Sequence, residues 1–544
     1  MKASLRLGAL TLIVVLTFSA TRSVAQIAPD ATAYPVAEKS VAALQADLTS
    51  GNVTSEALVR AYLARIAAID ASGPTLRSVI ALNAHATADA RARDAERRAG
   101  KVRGPLHGIP ILIKDNIESS DGTATTAGSD ALARNYAVRD APVVRRLRAA
   151  GAIVLGKTNL SEWANIRSSH SISGWSSVGG LVKNPYALDR NACGSSSGTG
   201  AAIAASLAAV GVGTETDGSV TCPASTNGLV GLKPTVGLVS RARIVPISHS
   251  QDTAGPMGRS VADVATLLDA MAGSDPADSA TKAADFHKSH YASALLGATL
   301  AGKRLGVLRY ATGSSPALDA VFARALVVLR AHGARIVELK AFRPAAALAD
   351  AETTILMTEL KVDLGAYLAT TPRSVRTRSL ADVIAFNNAH PRELGLFGED
   401  FFEHAEATAG LGSSAYQKAR KIAQSLAGPR GIDRLIAGKK LDALVAPSYG
   451  PGWRTDVVAG DNSSGAVASL PAVAGYPHLT VPMGYVRSMP VGISFIAGAW
   501  TEARLLALGA AYERAARARH APTYAPSIES LPAIHTLLEP PTKR

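Results

Sequence analysis

This chain has little of several things. It holds two cysteines in 544 residues, and aromatic side chains make up 5% and charged ones 18%. So few cysteines exclude a disulfide-framed mini-scaffold or a cysteine-rich metal module. Its histidines show no ligand spacing such as H-E-x-x-H, so no metal is expected. Basic stretches do not interleave with aromatics, and no finger, basic zipper or RNA-binding signature appears. Nucleic acid is therefore not an expected partner, despite a net charge of +14. In segments such as Arg91-Ala92-Arg93-Asp94-Ala95-Glu96-Arg97-Arg98 acids alternate with bases, the pattern of a solvated helix face. No linker, low-complexity tract or internal repeat marks a domain boundary.

Long apolar runs are missing too, except at the start. Leu7 to Phe18 follows a basic opening at Lys2 and Arg6 and is too short to cross a bilayer comfortably. Ser23-Val24-Ala25 then offers small residues at the cleavage-determining positions. Residues 1–25 are expected to be a cleaved signal peptide, and 26–544 one exported domain, with its core over about 38–520 and no membrane span in the mature chain. A bacterial periplasm is the expected location. In that compartment Cys193 and Cys222 either pair or stay two small buried thiols lining tight loops; for two cysteines in so long a chain, the thiols are the simpler reading.

What is present is a rhythm of short apolar strands and longer helices. Val41, Leu44 and Leu48 recur at helical spacing, and Thr54 or Ser55 can cap a second helix with Leu58, Tyr62, Ile66 and Ile69 on one face. Pro142 to Ala150 reads as a helix ended by Gly151, feeding a strand at Ala152 to Gly156. Ile109 to Ile113, Leu441 to Pro447 and Val491 to Ile496 read as buried strands, and Thr199 to Val210 as an alanine-rich helix. The predicted class is α/β: a single large domain with a central, twisted, mixed sheet covered by helices on both faces.

Three segments carry chemistry. Lys114 ends the apolar run Ile111-Leu112-Ile113, where desolvation would favour its neutral, proton-accepting form. Gly194-Ser195-Ser196-Ser197-Gly198 formally fits the nucleophile elbow G-x-S-x-G, with Ser196 as nucleophile. That motif needs a strand directly before the turn, and Asn184 to Asn191 is polar and loop-like. The segment reads better as a loop that presents a serine hydroxyl to a base. Gly213 to Ser219, small and glycine-bearing, can turn successive backbone N–H groups toward one point and so hold an oxyanion. Ser279-Ala280-Thr281-Lys282 fits S-x-x-K but lacks the companion motifs of penicillin-recognising enzymes.

In order and context these segments resemble the amidase signature family. The likeness rests on Gly108 to Asp115, Gly194 to Gly198, Thr214 to Pro223, Gly228 to Thr235, Gln251 to Met257 and Ala474 to Pro477. Within that family the chain is most similar to the bacterial peptide amidases, through Leu160 to Asn165, Ser171 to Ser176 and Cys193 to Gly198. The resemblance implies an amide hydrolase acting on C-terminal amides of peptides, with a peptide or small-molecule amide as substrate. A broad aliphatic or aryl amidase, or a non-catalytic binding protein on the same fold, is the alternative. It further implies Ser219 as nucleophile, Ser195 in a cis peptide as relay, Lys114 as base, and backbone N–H groups around Thr216, Asp217 and Gly218 as oxyanion donors, with no metal or organic cofactor needed. Three departures stand out: Glu215 for an aspartate, Asp217 for a glycine, and Thr221 for an arginine. They set the chain apart from glutamine-specific relatives, so ammonia donation to a tRNA-linked partner is not expected.

Overall fold

The computed structural model of the protein describes residues 34–465 and 467–538, so the expected signal peptide lies outside the described residues. These residues build an α/β domain on an 11-stranded sheet. In chain order the strands are β1 (Val79–Leu82), β2 (Pro110–Lys114), β3 (Ile153–Thr158), β4 (Val210–Glu215), β5 (Val230–Lys233), β6 (Thr253–Gly258), β7 (Arg304–Val307), β8 (Arg335–Glu338), β9 (Ala443–Pro447), β10 (His478–Val486) and β11 (Met489–Ile496). They lie in the order β1-β3-β2-β4-β6-β5-β10-β11-β9-β7-β8. The trio β3-β2-β4 is parallel, and so is β9-β7-β8. The strands between the trios pair antiparallel.

Every residue of β2, β3, β4, β5, β6, β9 and β11 is buried. A strand buried throughout needs cover on both faces, and the helices supply it. At the far edge, β8 exposes Arg335 and Glu338, charges that discourage pairing with another chain. Local signals account for much of the rest. The helix Val41–Ser50 buries Val41, Leu44 and Leu48, and the Thr54 hydroxyl caps the helix Ser55–Arg65 by accepting from Ala57 N at 3.1 Å. Lys114 closes β2 as its position after the apolar run predicts.

The structure differs from the sequence reading in three places. The alanine-rich helix spans only Ser197–Ala204, and Val210 already belongs to β4. Sheet pairing of Val210 with Ile111 overrides the helix propensity of the intervening alanines, and the chain breaks at Ser206 with φ 56°. Secondly, Asn184 to Asn191 is not a plain loop: Ala187–Asn191 pairs with Lys183–Asn184 in a small ribbon outside the main sheet. The Asn184 amide donates to Asn191 O (3.2 Å) and Thr226 O (2.9 Å), partners that no local pattern announces. Thirdly, Cys193 and Cys222 are joined in a disulfide rather than left as two thiols, because the fold brings their Cα atoms to 6.0 Å.

Candidate active site

Three chain segments meet at the carboxyl ends of β2 and β4. Lys114 is fully buried, and its Nζ donates to Ser195 Oγ at 2.7 Å and Thr214 Oγ1 at 2.9 Å. Burial drives its ammonium down to about 7, against the opposing pull of Asp252 and Glu215. A large fraction of Lys114 is therefore neutral at physiological pH. Thr214, the second partner, is steadied by Asn116, whose amide donates to the same hydroxyl at 3.0 Å.

Ser195 follows a cis peptide bond after Gly194 and is buried, with its carbonyl accepting from Ser161 N at 3.0 Å. Its neighbour Ser196, the residue a G-x-S-x-G search selects, is fully buried and tied to the backbone of Thr214. Its hydroxyl donates to Thr214 O at 3.1 Å and accepts from Thr214 N at 3.2 Å. Ser196 is a staple between the serine loop and β4.

Ser219 sits in the turn between β4 and the short helix Thr221–Thr226 and keeps 8% of its surface exposed, where Lys114 and Ser195 keep none. Two links hold this turn against the cis-serine loop: Ser196 N donates to Ser219 O at 3.1 Å, and the disulfide joins Cys193 to Cys222. Glu215 fixes the turn from the other side. Its carboxylate accepts from Val220 N (2.8 Å) and Thr221 N (2.9 Å), satisfying N–H groups that the helix start leaves unpaired. Glycine is required at position 218, where φ is +79° and a Cβ would lie 1.9 Å from the Tyr449 hydroxyl. Among the described residues, no protein acceptor takes the backbone N–H groups of Thr216, Asp217, Gly218 or Ser219. These free donors lie in the same turn as Ser219.

The remaining sequence-singled residues fall elsewhere or in support. Lys282 and Ser279 belong to a short 3-10 turn, Ser279–Ala283, and make no contact with Lys114, Ser195 or Ser219 among the hydrogen bonds of the described residues. A cavity of about 650 Å3 runs alongside Thr214, Glu215 and Thr216, with Asn116, His249 and Asp252 in its wall. Burial raises the Asp252 carboxyl to about 6, although the Thr216 hydroxyl donates to it at 2.6 Å. His249, Glu359 and Asp363 place ligand-type atoms within 4.8 Å of one another. All three are already engaged: the Ser248, Ser250 and Tyr416 hydroxyls donate to Glu359, and His249 Nδ1 pairs with Asp363 at 2.9 Å. That cluster is a hydrogen-bonded network joining the loop before β6 to the helix Ala347–Thr370.

Sequence reasoning missed Thr214, Asn116, Asp252, Gln251 and Glu352 around this site. Thr214 was legible in principle, since it lies two residues beyond Val212, which pairs with Ile113 of the strand that ends on Lys114. Asn116 follows Lys114 by two residues, while Gln251, Asp252 and Glu352 arrive from segments distant in the chain.

The family model described as Amidase matches residues 57–506. The chain belongs to the amidase family. This amidase is 51% identical to the native peptide amidase from Stenotrophomonas maltophilia, whose crystal structure superposes with a TM-score of 0.85 over 90% of this chain and 99% of that one. It is also similar to a probable amidase of Arabidopsis thaliana, at 38% identity over 90% of this chain and 92% of that protein. A third relative belongs to the glutamyl-tRNA(Gln) amidotransferase of Halorhodospira halophila, one of whose polypeptides is 34% identical over 88% of this chain and 97% of its own length. With these relatives, the amidase is an enzyme that hydrolyses amides.

Proposed function

We propose that this amidase removes the amide from C-terminally amidated peptides, with Ser219 as nucleophile, Ser195 as relay and Lys114 as general base. The observation that carries this reading is the 2.7 Å contact between Lys114 Nζ and Ser195 Oγ in a fully buried setting. A lysine whose proton leaves near pH 7 can accept one during turnover. Ser219 Oγ attacks the carboxamide carbon as its proton passes to Ser195 and from there to Lys114. The negative charge then growing on the carbonyl oxygen is met by the free N–H groups of Thr216 to Ser219, each worth on the order of 3 kcal/mol in such a role. The same relay returns the proton to the departing ammonia, and water hydrolyses the acyl-enzyme by the reverse path.

The peptide-amide preference is supported by the identity with the Stenotrophomonas maltophilia peptide amidase along almost its whole length. Export is supported by the Cys193–Cys222 bridge, since structural disulfides persist in oxidising compartments. The test is ammonia release from a panel of amidated dipeptides and simple aliphatic and aryl amides. Amidated dipeptides should give the highest kcat/KM, and Ser219→Ala should lower it by about four orders of magnitude or more. Turnover surviving in Ser219→Ala would sink the mechanism; preference for simple amides would replace the substrate reading. Mass analysis of the secreted protein should find Gln26 at its start.

A further inference from the structure

A chain of polar contacts holds the Thr216–Gly218 loop from residues outside the three segments that carry the chemistry. Gln251, in the loop before β6, donates its amide to Glu352 Oε1 at 2.9 Å and reaches Thr216 O at 3.4 Å. Glu352 projects from the helix Ala347–Thr370 and is buried, and its carboxyl lies near enough to that of Asp217 to be raised by it. On its other side, Asp217 accepts from the Ser469 hydroxyl at 2.5 Å. Two carboxyl groups this near one another cannot both carry a charge at low cost, which favours a proton held between them.

The geometry points to Glu352 as a positioning residue for amide hydrolysis: with Asp217 it forms a proton-sharing carboxyl pair that fixes the Thr216–Gly218 backbone beside Ser219. This rests on the reading of that loop as the oxyanion site. The pair is anchored from both ends, through Gln251 to the Thr216 carbonyl and through Ser469 to the helix Ser469–Ala474. The loop N–H groups then stay aimed without reorganising as charge develops, which is where preorganised donors gain their effect. Loss of the shared proton would place a second negative charge beside the growing oxyanion and slow the reaction. Burial raises both carboxyls, Asp217 to about 6 and Glu352 well above the ordinary glutamate value, so the pair keeps its proton above the usual carboxylate range and loses it as pH rises. The other ionisable groups acting on the pair are Glu215 and Lys233 from β4 and β5, and Tyr310 and Tyr449 after β7 and β9. All four are unchanged in the variants below.

The experiment compares Glu352→Leu and Glu352→Gln with the native enzyme, using an amidated dipeptide across the pH range. Glu352→Leu should lower kcat about 10-fold with KM changed less than about 2-fold, because the loop donors act in the transition state. Glu352→Gln keeps a hydrogen-bonding partner for Asp217, so it should recover most of that loss while its alkaline fall in kcat disappears or moves. An infrared difference spectrum should show a protonated carboxyl band at neutral pH in the native protein that Glu352→Gln removes. That spectrum needs no turnover, so its failure is separable from a failure of the mechanism. An unchanged alkaline limb in Glu352→Gln, a loss confined to KM, or no protonated carboxyl band would each overturn the inference. Should Glu352→Leu not fold, the pH profile and spectrum of Glu352→Gln still decide.

Discussion

Two buried lysines on neighbouring strands face opposite fates. Lys114 ends β2, and Lys157 lies beside it on β3, in register with Ile113. Both are fully buried, and burial pushes both ammonium groups down. Lys157, however, meets the Asp115 carboxylate at 3.5 Å, Ile117 O at 2.7 Å and Thr125 Oγ1 at 2.9 Å. Asp115 pushes the lysine back toward its charged form. Lys114 has hydroxyl groups and one carbonyl instead, with Asp252 and Glu215 acting only at a distance. Burial alone does not make a base. A carboxylate in contact turns one lysine into a counter-ion, and its absence leaves the other ready to take a proton.

The sharpest way to break this contrast is to remove each lysine in turn. Lys114→Met should lower ammonia release by about four orders of magnitude while the protein still folds. Lys157→Met leaves Asp115 buried without its cation and should cost about 3 to 5 kcal/mol in urea unfolding. If the two phenotypes swap, the assignment of base and counter-ion is wrong.

The Cys193–Cys222 bridge asks how far the contrast depends on the loop that presents Ser195 to Lys114. It closes a separation of 29 residues, so the double alanine variant should lose about 3 kcal/mol by chain entropy. Its kcat should fall more than its KM changes, since the bridge joins the two serine loops; a purely thermal effect would limit the disulfide to stability.

Next in size is the pH response. The rate should rise through about pH 7 as Lys114 loses its proton. Stability has a matching sign: the folded pKa lies below the unfolded value of about 10.4, so the unfolded chain binds the extra proton between them. The Lys114 contribution therefore grows more favourable with pH across that window, and Lys114→Met should gain stability relative to the native protein as pH falls from about 10 to about 7, with the difference level below that. A rate flat from about pH 5 to about pH 9 would contradict the lysine base.

The smallest effect belongs to Thr214, which donates no charge but orients the amine. Thr214→Val should cost about 10-fold in kcat, the worth of one buried hydrogen bond, and Thr214→Ser should restore it. A Thr214→Val variant with native kcat would show that Ser195 alone orients Lys114.

Much of the fold was legible because its signals are local. The apolar run before Lys114, the spacing of Val41, Leu44 and Leu48, and the threonine cap at Thr54 each act within a few residues. The alanine run misled because its helix propensity could not reveal that Val210 pairs with Ile111 across the sheet. Near the site, Ser196 satisfied a motif yet serves as a staple, since its hydroxyl is consumed by Thr214. Nothing near Glu352 in the chain suggests that it meets Asp217, because 135 residues separate them and only the packing of the helix Ala347–Thr370 closes the gap.

By itself, then, the sequence determined the α/β class, the strand that delivers Lys114 and the small-residue loops that bear Ser195 and Ser219, because each follows from side-chain size and periodicity. Tertiary structure alone decided that Lys114 lacks the carboxylate its neighbour Lys157 meets, that Cys193 reaches Cys222, and which distant polar groups brace the Thr216–Gly218 loop. Those outcomes depend on desolvation and on distances of a few ångströms between segments far apart in the chain, quantities that exist only once the sheet has closed around them.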